Sequence, residues 1–232
     1  MNIVNKTILV SGASDGIGKS IAVALAQDGA NLVLLGRDAS KLEGVKSICE
    51  NHGVNVEYYA FDITDRHALE EAASAIKEKS SLDIIINNAG IWHKATPLEE
   101  LAPDLIESVI STNLVSHMLL TRLFIEDMKD RETAILNIVS SAGLQGKAGR
   151  TAYAASKFGL RGFTEALRDE TFANPIRIGA VFQGGTNTQM FEKGGEAMPL
   201  EKYTEPDDLA QVIVFILTRP QKLWLNEVHI TY

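Results

Sequence analysis

The sequence predicts an α/β protein, a doubly wound parallel sheet of about seven strands with helices on both faces. Three observations carry this. Short apolar runs alternate with segments of helical period for nearly the whole length. The runs are apolar at consecutive positions, as strands covered on both faces must be. No stretch has the composition of a linker, a repeat or low-complexity sequence, so residues 1–232 read as one domain.

Thr7 to Val10 reads as the first buried strand. Ile17 to Gln27 is the helix after it, with Ile17, Ile21, Ala24 and Leu25 along one face. Leu32 to Leu35 and Ala39 to Asn51 are the second pair, Val54 to Phe61 and Asp65 to Lys79 the third. Asp65 suits the helix N-cap, and Lys77 and Lys79 sit at the negative end of that helix dipole. Leu82 to Ile86 is the fourth strand, and Asp104 to Met128 a long helix behind Pro103. Thr133 to Val139 and Tyr153 to Phe172 follow. Ile176 to Val181, a helix from Pro206 to Leu217, and Glu227 to Thr231 close the chain. The one long irregular stretch, 183–204, is rich in glycine and holds Pro199. A loop of that length in a compact domain is a lid or binding segment, or else a plain surface excursion.

The net charge is −8, with 45% hydrophobic and 22% charged residues. That balance argues against nucleic acid or anionic membrane as partners, since both need a basic footprint. Cys49 is the single cysteine, so no intrachain disulfide forms, in keeping with a reducing, cytoplasmic setting. The N-terminus has no signal-peptide pattern, and apolar runs such as Ile84 to Ile86 are too short to span a bilayer. His52, His67, His93, His117 and His229 lack metal-ligand spacing, so no metal is expected.

Chemistry enters at the first strand-to-helix junction, Ser11-Gly12-Ala13-Ser14-Asp15-Gly16-Ile17-Gly18. Glycine supplies the positive φ that such a turn needs. It also lets backbone N–H groups approach a pyrophosphate at the helix N-terminus, where the dipole favours negative charge. The segment Gly12, Ser14, Asp15, Gly16, Ile17 and Gly18 is therefore the candidate phosphate cradle. The second strand ends Leu35-Gly36-Arg37-Asp38, with Gly36 where a ribose-binding acid is expected. Arg37 carries a planar fork that suits a 2′-phosphate, which favours NADP(H), with NAD(H) as the other cofactor such a site admits. Otherwise Arg37 only caps a loop, and Asp38 is the helix N-cap in either case.

Tyr153 and Lys157 stand four residues apart, on one face of a helix. A nearby ammonium favours phenolate and is expected to lower the tyrosine pKa toward neutral. A tyrosine so tuned exchanges a proton during reaction at a carbonyl or alcohol. Ser140 and Ser141 end the fifth strand, and ligands of parallel sheets bind beyond the carboxyl ends of strands. Either hydroxyl is placed to meet a substrate oxygen.

Taken together, Ser11-Gly12-x-x-x-Gly16-Ile17-Gly18, Asp62, Asn87-Asn88-Ala89-Gly90, Asn113, Ser140 and Tyr153-x-x-x-Lys157 resemble the short-chain dehydrogenase/reductase family over nearly the full length. The resemblance implies a Rossmann-like fold and hydride transfer between a nicotinamide and a substrate alcohol or carbonyl. It implies Tyr153 as general acid/base and Ser140, rather than Ser141, as the group polarising the carbonyl. Lys157 would lower the tyrosine pKa and bind the nicotinamide ribose, while Asn113 supports a water that relays protons to Lys157. Asp62 and Ile63 would contact the adenine, and Asn88, Ala89 and Gly90 line the cofactor trench. Gly184, Thr186 and Thr188 would meet the nicotinamide end. A homodimer or homotetramer through helices 104–128 and 153–172 is implied as well.

The chain departs from that pattern in places. Ser11 replaces the usual Thr but keeps the hydroxyl. Gln183 stands where the family places proline before Gly184. Asp15 stands where some members carry a basic residue for the 2′-phosphate. The glycine-rich tail common in ketoacyl reductases is missing. Trp92 and His93 either edge the substrate pocket or lie on a surface loop. Gly194-Gly195 either hinges a lid or ends a short helix. A dinucleotide sensor without turnover, and an epimerase or dehydratase using the same Tyr and Lys, stand beside the reductase reading.

Overall fold

The computed structural model describes residues 1–220 and 222–231. Seven strands form one parallel sheet: β1 (Thr7–Ser11), β2 (Asn31–Gly36), β3 (Val56–Ala60), β4 (Ile84–Asn87), β5 (Ala134–Ile138), β6 (Arg177–Gln183) and β7 (Glu227–Ile230). Their order is β3-β2-β1-β4-β5-β6-β7. The chain winds outward in both directions from β1 and β4, so a crevice opens where their carboxyl ends diverge.

Alternate residues of each strand face opposite layers. Ile8, Val10, Leu32 and Leu34 pack under α1 (Gly16–Gln27), α2 (Ala39–Glu50) and α8 (Pro206–Thr218). Leu9, Val33, Leu35 and Ile85 pack under α3 (Arg66–Lys79), α5 (Ser116–Met128) and α6 (Thr151–Glu170). Both faces are dry, which is why the strands read as unbroken apolar runs. Truncating one of these fully buried leucines to alanine would cost about 2–5 kcal/mol.

Local chemistry sets the helix starts. Asp65 accepts the N–H groups of His67 and Ala68, and Asp38 accepts that of Lys41. The long helix expected over 104–128 is α4 (Pro103–Ile110), a π-helical turn at Ser111–Val115, and α5 in one run. By length and composition the run Pro103–Met128 is apolar enough to cross a membrane, contrary to the reading from the short apolar runs. In the fold, its Leu120, Phe124 and Met128 lie buried against the sheet. Helix α6 begins two residues before Tyr153 and ends before Phe172.

A buried polar bridge crosses the middle of this layer. Asn87 donates to Thr121 Oγ1 at 3.1 Å and to Asn137 Oδ1 at 2.8 Å, and Asn137 donates to Thr164 Oγ1 at 2.7 Å. Strands β4 and β5 are thereby tied to α5 and α6, which carry the site. The stretch 183–204 is more ordered than its composition suggests. It holds α7 (Met190–Lys193), a 3-10 turn at Leu200–Lys202 and a bridge between Thr186 and Thr204. Gly194 is the C-cap of α7, and Gly195 follows at φ 78°.

Candidate active site and cofactor trench

The glycine loop is packed too closely for side chains. A Cβ on Gly12, at φ 67°, would lie 2.8 Å from the Ala89 Cα, and one on Gly18 would lie 2.2 Å from the Gly12 carbonyl oxygen. The Ser11 hydroxyl accepts the N–H groups of Asn88 and Ala89 at 2.9 and 3.1 Å. Asn88 in turn donates its side-chain amide to the Ser11 carbonyl at 2.9 Å. The hydroxyl that Ser11 retains therefore joins the loop after β1 to the loop after β4.

Between these loops runs a cavity of about 410 Å³. Gly12, Ser14, Asp15, Gly16, Ile17 and Gly18 form its floor, Arg37, Asp62 and Ile63 one end, and Asn88, Ala89 and Gly90 a wall. Tyr153, Lys157 and Thr188 close the other end. Gly184 and Thr186 fall outside this trench and line an adjoining cavity, because Gly184 is held to the sheet edge by its N–H bond to the Ile230 carbonyl. Asn113 is buried behind the trench wall.

The far end is a cluster of charges. Arg37 lies 3.8 Å from Asp62, both well exposed. Asp38 is the helix cap, so Arg37 is not needed there. Asp15 accepts the Gly16 N–H at 2.8 Å and ion-pairs with Lys41 at 3.1 Å and Lys193 at 2.8 Å. Burial raises the Asp15 pKa, but the hydrogen bonds from Lys193, Gly16 and Lys41 outweigh it and bring it to about 2. Asp15, a carboxylate in the candidate phosphate cradle, is thus neutralised by two lysines that the sequence did not single out. Their signal was absent because Lys193 lies 178 residues away in the chain.

At the near end Tyr153 and Lys157 are both buried. The Lys157 ammonium donates to the Ile138 carbonyl at 3.0 Å and lies 5.8 Å from the centre of the Tyr153 ring. Burial pushes the Tyr153 phenol up to about 12, with the Ser140 hydroxyl and Arg150 pulling the other way. Burial likewise brings Lys157 down to about 7. The expected lowering of the tyrosine by the lysine is therefore not what this structure has. Two desolvated groups each favour their neutral forms, and the ammonium is directed at a strand carbonyl.

Asn113 occupies the π-helical turn and clasps the backbone of Ile91. Its Oδ1 accepts the Ile91 N–H at 2.8 Å, and its amide donates to the Ile91 carbonyl at 3.0 Å and to Ser156 Oγ at 3.2 Å. One turn on, His117 is fully buried, and burial, then the Lys157 charge, lowers its pKa to about 3. Its neutral ring donates from Nε2 to the Ala89 carbonyl at 2.8 Å. The sequence offered His117 only as a metal ligand to be dismissed. In the fold it fixes a trench wall.

The adjoining cavity, about 130 Å³, is lined by Ser140, Ser141, Tyr153 and Gln183 on its polar side. Trp92, Met190, Phe191 and Met198 form its apolar side. Gln183 Oε1 and Thr186 Oγ1 are buried without a hydrogen-bond partner. Trp92 edges both cavities, whereas the buried His93 faces neither and sits with Nδ1 2.8 Å from the Lys94 carbonyl. Cys49 is buried, and its thiol is pushed up to about 11. Among the described residues no group of three or more His, Cys, Asp or Glu is placed to hold a metal.

The short chain dehydrogenase family model matches residues 6–199. A 3-oxoacyl-[acyl-carrier-protein] reductase of Thermotoga maritima is 32% identical over 93% of this chain and 92% of its own. A D-beta-hydroxybutyrate dehydrogenase of Cupriavidus necator is 32% identical over 91% and 90%. Among solved structures, an alcohol dehydrogenase of the archaeon Thermococcus sibiricus, complexed with 5-hydroxy-NADP, superposes with a TM-score of 0.89. It shares 26% identity, over 97% of this chain and 95% of that one. The chain belongs to the short-chain dehydrogenases and is an NAD(P)-dependent oxidoreductase.

Proposed function

We propose that the protein interconverts a carbonyl and an alcohol on a small organic molecule, using NADP(H) in preference to NAD(H). The observation that carries this reading is the position of Tyr153. It lines both the trench and the adjoining cavity, with Ser140 on the cavity side and Lys157 on the trench side.

The trench residues fit a dinucleotide. The packed glycines keep side chains out of the trench floor at the start of α1, where phosphate oxygens are best received. Arg37 supplies a forked donor at the adenosine end, beside Asp62 and Ile63. A bound reduced nicotinamide would supply the hydride taken up by the substrate carbon.

The chain's own residues manage the oxygen and its proton. The Ser140 hydroxyl donates to the substrate oxygen and polarises the carbonyl. Tyr153, protonated at neutral pH with its pKa near 12, donates the phenolic proton to that oxygen as charge develops on it. Lys157, with its pKa near 7, exchanges protons near neutrality and lies on the trench side to meet the ribose. Asn113 holds the Ile91 backbone that borders both the trench and Lys157's helix. The apolar side of the cavity, Trp92, Phe191 and Met198, suits a small substrate with one apolar end.

We assign assembly as a dimer or tetramer to the faces of α4–α5 and α6. Val115, Met118 and Phe158 expose apolar surface there, which supports that assignment. A reducing, cytoplasmic setting is in keeping with a lone buried thiol. The sensor reading is less favoured, because a binding module has no use for Ser140 and Tyr153 beside a second cavity.

Turnover of NADPH against a carbonyl panel tests the proposal. Tyr153→Phe is expected to lower kcat by at least about 100-fold, the scale of a positioned general acid, with NADPH still bound. An unchanged rate in that variant would remove the mechanism.

A further inference from the structure

Arg150 stands just ahead of α6, three residues before Tyr153, and its guanidinium makes three different contacts. Its Nη2 bridges the two Glu196 carboxylate oxygens, at 2.5 and 2.6 Å. It donates to the His93 carbonyl at 2.7 Å. Its carbon lies 4.2 Å from the centre of the Trp92 ring. Glu196 belongs to the 183–204 stretch and also accepts the Trp92 indole N–H at 2.8 Å. The pair is well shielded, with the side chains 13% and 19% exposed.

Trp92 stands at the centre of this arrangement. Its ring meets Tyr153 edge-on at 4.5 Å and Phe191 edge-on at 5.1 Å. The backbone of the 183–204 stretch docks on the same residue. The Lys94 N–H reaches the Gly194 carbonyl at 2.9 Å, and a Cβ on Gly194 would lie 2.7 Å from the Trp92 carbonyl oxygen. Glycine is thus needed at 194 for close approach.

We propose that Arg150 is a positioning residue that clasps the 183–204 stretch against Trp92, and through Trp92 sets the Tyr153 ring and the apolar end of the substrate cavity. This rests on the reading of Tyr153 as the general acid/base. The physical grounds are the charge-assisted, partly buried ion pair, which is strong when whole and costly when one partner is lost. A lysine cannot replace the arginine, because one ammonium cannot bridge Glu196, reach the His93 carbonyl and lay a planar face on Trp92 together. Because Arg150 and Glu196 neutralise each other, neither offers a free charge to substrate.

The test compares wild type with Arg150→Lys, Glu196→Gln and the exchanged pair Arg150→Glu with Glu196→Arg, all in a Trp224→Phe background so that Trp92 alone fluoresces. Trypsin cleavage at Lys193 and Lys202 is followed in the folded full-length chain, with and without NADPH. Trp92 emission and the KM and kcat for 2,3-butanedione with NADPH are recorded alongside. Glu196→Gln and Arg150→Lys are expected to cleave about tenfold faster, as loss of a charged hydrogen bond would allow. Their Trp92 emission should shift to the red and the KM for the dione rise more than kcat falls, with the exchanged pair recovering part of both. Wild-type cleavage and emission in Glu196→Gln would overturn the clasp, whatever the turnover. Turnover persisting in Tyr153→Phe would instead overturn the role of Tyr153, with the cleavage result still standing for the clasp.

Discussion

The Lys157 ammonium is bonded to the Ile138 carbonyl at 3.0 Å, so the lysine four residues after Tyr153 is anchored to strand β5. Both side chains are buried, and each is shifted toward its neutral form. In this state the tyrosine holds its proton at neutral pH, and the lysine titrates near neutrality.

Stability should depend on pH through Lys157. Its folded pKa is about 7 against the 10.5 of an ordinary lysine. Between those values the unfolded chain holds a proton that the native chain lacks, so this group makes stability rise with pH across that window. Below about pH 7 its destabilising effect is fully present. Urea midpoints at pH 6.5 and 9.5 check this: the Lys157 contribution to the rise should vanish in Lys157→Met, and an identical slope in both proteins would refute it.

Arg37→Ala should weaken NADPH binding about tenfold or more and leave NADH nearly unchanged. The guanidinium is exposed and its contact with Asp62 is long, so little folding stability depends on it. A charge-assisted bond to a 2′-phosphate is worth about 1.5–3 kcal/mol. Nicotinamide fluorescence titration reads both cofactors, and equal loss for both would place the 2′-phosphate elsewhere.

Asp15→Asn should tighten NADPH binding severalfold at low salt. The carboxylate occupies Lys41 and Lys193, and the amide keeps an oxygen for the Gly16 N–H. Two cations are thereby released at the trench mouth. The gain should fade as ionic strength approaches about 1 M, where screening acts within about 3 Å. A salt-independent change would point to altered loop geometry instead.

Gly18→Ala should abolish cofactor binding and lower the melting temperature. The new methyl would sit 2.2 Å from the Gly12 carbonyl oxygen and 2.6 Å from the Asn88 amide. Overpacking of this kind costs about 1–3 kcal/mol. Gly44→Ala, where a Cβ meets nothing within 4 Å, is the control expected to retain binding.

The sequence by itself determined the layered fold. Period-two burial on both sheet faces leaves consecutive apolar runs, and capping residues such as Asp38 and Asp65 mark helix starts without help from the rest of the chain. It also placed Gly12, Arg37 and Asp62 together, since each lies just beyond the carboxyl end of a parallel strand, and put Tyr153 and Lys157 on one face of α6. Where Gly184 and Thr186 fall was decided by the pairing of β6 with β7, which holds Gly184 at the sheet edge. The protonation of Tyr153 and Lys157 was decided by burial, a property of the packed whole that four-residue spacing does not contain. Likewise the pairing of Asp15 with Lys193 and of Arg150 with Glu196 joins residues 178 and 46 positions apart. Local spacing carries no record of such contacts, because only the closed tertiary fold brings their charges within bonding distance.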